Sequence, residues 1–143
     1  MTPASMRVAR LHGVGDLRVE TVPVPQPASG ELLVRVEACG VCPTDVRKFV
    51  LGLHPEEYPL NPGHEWVGRV EAVGAGVEGW AAGDRLYGDT YARYAEAAAL
   101  LGSGEVPVER LVTGHCGLDG LVDAFAAVRE VRGLKTVLLP GAA

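Results

Sequence analysis

Cys39-Gly40-Val41-Cys42 sets two thiols three positions apart, and Gly63-His64-Glu65 follows, with His64 lying 22 residues after Cys42. A C-x-x-C of this kind admits a dithiol redox pair or half of a zinc site. A redox motif should open a helix within a βαβ fold, whereas β-type sequence precedes this one, and no second C-x-x-C completes a four-thiolate site. Taken alone, two nearby cysteines are ordinary core or loop residues. A thiolate, an imidazole and a carboxylate drawn from two loops can instead build an open catalytic zinc site, in which one position is left for water or substrate. A solitary His64 would read as a packed or surface residue; its neighbours change that reading.

Gly74-Ala75-Gly76-Val77-Glu78-Gly79 fits the dinucleotide fingerprint letter by letter and follows a strand-like run. That fingerprint works only if a helix begins at its glycines, so that a pyrophosphate meets free backbone N–H groups. Trp80-Ala81-Ala82-Gly83-Asp84 reads as turn, so no nucleotide is expected there.

The elements that must position these residues are mostly short strands. Met6 to Leu11, Leu17 to Val22 and Leu32 to Ala38 cluster apolar and β-branched residues between Gly and Pro punctuation. Thr44 to Leu51 offers one or two helical turns, capped by Thr44 or Asp45. His64 to Val73 and Asp84 to Tyr87 return to strand. Past Tyr91 the texture changes, with an Ala-rich helix over Tyr94 to Leu101 stopped by Gly102 and Gly104. A second helix is expected over Leu118 to Val131, with an apolar face of Leu118, Leu121, Val122, Phe125 and Val128. Asp119 in its first turn and Arg129 and Arg132 at its end suit the helix dipole. Leu134 to Leu139 closes the pattern as a strand. These elements predict an α+β domain, a partly open β-barrel with two late helices.

The 143 residues suit one domain with a real core, so a metal would serve chemistry and is not needed for folding. With 13 Lys and Arg against 18 Asp and Glu, the net charge is −5 and no basic block invites a nucleic acid. No run approaches the roughly 18 apolar residues of a membrane span, and the first ten residues lack a signal-peptide core. A soluble cytoplasmic chain with reduced thiols is the expectation.

In order and spacing, Cys39-Gly-Val-Cys-Pro-Thr-Asp45, Gly63-His-Glu-Trp-Val-Gly68, Val73-Gly-Ala-Gly-Val77 and Gly83-Asp-Arg85 resemble the zinc-containing medium-chain alcohol dehydrogenases. The opening strands resemble that family's GroES-like catalytic domain. Tyr94 to Leu139 looks like its carboxy-terminal end, with Val108 to Thr113 as a strand. The resemblance implies zinc ligation by Cys42 and His64, with Glu65 in or beside the ligand set. It further implies that Thr44 passes on an alcohol proton and that Asp45 orients the ligating histidine.

The sequence also departs from that family. Its members are more than twice as long and carry a doubly wound nucleotide-binding domain, which cannot fit between Gly88 and Glu96. The expectation is a single domain over 1–143, a barrel over 1–90 and a carboxy-terminal part over 91–143, joined across an internal deletion near 90–96. Such a chain would bind no NAD(P) and transfer no hydride alone. It would oxidise an alcohol to an aldehyde or ketone only with a separate nucleotide-binding chain. The face left by the missing domain suggests a homodimer. Cys116 reads as a packed thiol, and Arg47 stands where some family members place a relay histidine.

Overall fold

In the computed structural model, which describes residues 3–88 and 108–142, β1 (Ser5–Gly13) and β2 (Asp16–Pro23) pair antiparallel as a hairpin. Apolar alternation on β1 turns Ala9 and Leu11 inward, and both are buried. Leu11 also exchanges two backbone hydrogen bonds with Leu60, at 2.8 and 3.0 Å, so the hairpin holds the loop that leads to Gly63.

The remaining strands form one mixed sheet in the order β5-β4-β3-β7-β6. β3 (Leu32–Gly40), β4 (Glu65–Val73) and β5 (Arg85–Gly88) are antiparallel neighbours. Register slips between Leu33 and Val34 and between Val36 and Ala38 bend β3, and the second precedes the turn of Cys39 into the interior. β6 (Val112–Cys116) runs parallel to β7 (Lys135–Leu138), which pairs with β3 only at Cys39 and Gly40. The Val41 N–H then donates to Thr136 O at 3.0 Å. The chain's last strand thus clamps the backbone leading into Cys42.

α1 (Pro43–Leu51) begins without the expected cap. Cys42 is the cap residue, extended at φ −101° and ψ 142°, and makes no side-chain capping bond. Pro43, with its φ preset and no N–H to satisfy, starts the helix instead, which places Thr44 and Asp45 inside its first turn.

The later segment departs from expectation in three places. Val108–Leu111 is one helical turn, α2, and the strand expected over Val108 to Thr113 starts only at Val112. α3 (Leu121–Arg129) starts three residues later than the apolar spacing suggests, because Leu118 to Gly120 form a turn. Asp119 therefore lies outside the helix and pairs with Arg7 on β1. Val122 is exposed, and Ala124 takes its place on the buried face. The expected helix over Tyr94 to Leu101 lies outside the described residues.

The core gathers Ala9, Val41, Val46, Leu118, Leu121, Ala124 and Phe125. Phe49 of α1 meets Phe125 of α3 edge to face, with centroids 5.4 Å apart at 67°, a geometry the ring quadrupoles favour. Four of these seven residues come from beyond residue 107, so the late segment completes the core. The architecture is α+β, as expected, and takes the form of a hairpin and a mixed sheet with no closed barrel among the described residues.

Candidate metal centre

The antiparallel register sets Gly40 opposite Glu65. Cys42 leaves β3 two residues beyond Gly40, and His64 enters β4 one residue before Glu65, so the two loops meet at one end of the strand pair. Ligating atoms of Cys42, His64 and Glu65 all lie within 4.8 Å of one another, and the three side chains are half-buried. A soft thiol, an imidazole and a carboxylate at this spacing form a donor set that fits a zinc ion.

Asp45, buried in the first turn of α1, supports the histidine from behind. Its Oδ1 lies 3.5 Å from His64 Nδ1 and accepts the Gly63 N–H at 3.3 Å. One carboxylate thereby fixes both the imidazole and the backbone that carries it. Gly63 has φ +103°, and a Cβ there would lie 2.9 Å from Cys39 Sγ. A side chain at that position would strain the backbone next to His64 and crowd Cys39.

Glu65 forms an ion pair with Lys135 of β7. Their charged ends lie over Gly40, where any Cβ would collide with the carboxylate and with Lys135 Cε. Sequence reading did not single out Lys135 for the site. The only signal available was the bare glycine of the C-x-x-C, since Lys135 arrives through a strand pairing 70 residues away in sequence.

Thr44 is exposed on α1, one residue before Asp45. Cys39 belongs to the interior and not to the donor cluster. Burial pushes its thiol up to about 11, partly countered by a backbone hydrogen bond from Glu65. At pH 8 only about 0.1% of such a thiol is ionised, which is unsuited to dithiol exchange. Iodoacetamide at pH 8 is therefore expected to leave Cys39 unmodified in the folded protein and to modify it in urea, as read by peptide mass spectrometry. Because the thiol is favoured over the thiolate in the folded state, its contribution to stability is intact below pH 9 and is lost between 9 and about 11. Cys116 packs against the core from β6, and burial raises its pKa too.

A second donor group, His54, Glu56 and Glu57, is exposed, and Glu57 is already engaged by Lys48 at 2.5 Å. Gly74 to Gly79 form an irregular connection between β4 and β5 with no helix at the glycines, as the surrounding residues led one to expect. No helix among the described residues is long and apolar enough to cross a membrane.

This fold and donor arrangement define a GroES-like domain of the zinc-type medium-chain dehydrogenases. Residues 28–140 match the alcohol dehydrogenase GroES-like domain, and the chain belongs to that family. It is 34% identical over 87 residues to a sorbitol dehydrogenase of Bacillus subtilis, covering 59% of this chain and 25% of that one. The crystal structure of 2R,3R-butanediol dehydrogenase from Bacillus subtilis matches with a TM-score of 0.54 at 34% identity, over 58% of this chain and 27% of the other. A cobalt- and zinc-bound thermostable alcohol dehydrogenase from Pyrobaculum aerophilum matches at a TM-score of 0.53 and 34% identity, over 58% and 26%. The chain spans about a quarter of the length of these relatives.

Proposed function

We propose that this chain is the catalytic domain of a zinc-type alcohol dehydrogenase, holding zinc through Cys42, His64 and Glu65 and lacking its own NAD(P) site. The observation that carries the reading is the convergence of the three donors within 4.8 Å, backed by Asp45 behind His64. Zinc bound there would act as a Lewis acid on the oxygen of an alcohol. The protein's own part is to position and to move a proton. The Thr44 hydroxyl accepts the alcohol proton and hands it to solvent, to which it is open at the start of α1. Asp45 keeps the His64 ring in one orientation while this happens.

Two features support the absence of a nucleotide site. The glycine run that fits a dinucleotide fingerprint opens no helix, and the described sheet contains a single parallel pair, β6 with β7. A nucleotide-binding partner chain would then supply the hydride acceptor.

Metal analysis of the purified protein tests the zinc reading. About one zinc per chain is expected, with loss of the metal from a Cys42→Ala/His64→Ala double variant; absence of zinc from both would overturn it. Calorimetric titration with NAD+ and with NADP+ is expected to give no binding heat, and saturable binding of either would overturn the second half.

A further inference from the structure

We propose that Arg47 selects substrates in which the alcohol also carries an anionic group, a carboxylate or a phosphate. This rests on the metal-centre reading above and goes beyond it to the substrate class.

The argument begins with the charges. Every lysine and arginine among the described residues has a carboxylate within 4 Å except Arg47 and Arg110. Arg110 lies in the single helical turn α2, whereas Arg47 lies on α1, whose first residues flank the donor cluster. The acids around the cluster are already engaged. Asp45 faces His64 and the Gly63 N–H, Glu65 faces Lys135, and Glu57 faces Lys48. Among the described residues the Arg47 guanidinium therefore has no carboxylate partner, and it lies on the helix whose cap residue is Cys42.

Placement adds direction. Thr44 and Arg47 are both exposed and stand one helical turn apart, so they share a face of α1, while Asp45 and Val46 point into the core. A molecule whose hydroxyl meets Thr44 lies within reach of the guanidinium. Arginine stays protonated across the working pH range and cannot relay a proton as a neutral base. What it offers is a planar fork of donors that matches the two oxygens of a carboxylate or a phosphate. A small hydroxy acid or a phosphorylated polyol satisfies both residues at once.

Calorimetry on the zinc-loaded full chain provides the test, using two pairs of probes. Lactate is compared with propylene glycol for the carboxylate, and glycerol phosphate with glycerol for the phosphate. Either anion, or both, is expected to bind more tightly than its neutral counterpart. That ratio should fall about tenfold in Arg47→Ala and recover in part in Arg47→Lys, which keeps the charge and loses the fork. The pair that shows the drop identifies the anion. A zinc-loaded chain whose ratios are the same with and without Arg47 overturns this inference alone. A wild-type chain that takes up no zinc overturns both it and the metal-centre reading.

Discussion

Replacing His64 by Ala is expected to weaken zinc binding by more than about a hundredfold. Removing a residue that only supports a ligand costs about 10–100-fold, and a ligand must cost more. Among the described residues only three donor side chains converge here, all within 4.8 Å, so none of the others described can take the place of the imidazole. Cys42→Ser should cost a comparable factor, because a hydroxyl does not ionise at neutral pH as a coordinating thiol does. Asp45→Asn should fall in the lower range, since it keeps the size of the side chain but removes the charge 3.5 Å from His64 Nδ1. Competition against a chromophoric chelator measures all three. A loss of less than about tenfold for His64→Ala would put the zinc elsewhere. The exposed His54, Glu56 and Glu57 group would then be the place to look, with Glu56→Gln as the variant.

Phe125→Ala is expected to destabilise the fold by about 3–5 kcal/mol. Phe125 is only 2% exposed and sits where α3 meets α1, with its ring against Phe49. Truncation would remove that contact and leave a cavity among Val46, Leu121 and their neighbours in the core. In a chain of this size the midpoint of thermal unfolding should drop by roughly 10 °C or more. The same variant should loosen the metal centre, because α1 carries Asp45 and begins at Cys42. Differential scanning calorimetry with and without zinc reads both effects. A shift of only a degree or two would mean that residues beyond 107 do not share the core with α1.

Chemistry-bearing residues were legible in the sequence where spacing between neighbours fixes their meaning. Cys42 and Gly63-His64-Glu65 stood out as donors of different softness placed just outside strand-like runs, and the structure brings those three together. Strand positions were equally legible, since alternating apolar residues must turn to one face of a sheet. The glycine run at 74–79 could be set aside on the same local ground, because no helix-forming sequence follows it.

Local reading failed where a long-range contact outweighed local preference. Thr44 and Asp45 are good caps by type, yet Pro43 starts α1 earlier, and Asp45 turns inward to serve His64. Val122 fits a helical stripe, but the entry of α3 from the turn at Leu118 rotates Ala124 onto the core and Val122 into water. Lys135 reaches Glu65 only because β7 returns to pair with β3 beside the C-x-x-C. The sequence by itself determined the three candidate donors and the strands that carry them, since these depend on residue type and on spacing within a few positions. Only the tertiary structure decided which charges are neutralised and which, Arg47 among them, have no ion-pair partner among the described residues. Ion pairing depends on strand order and register, which distant parts of the chain set together.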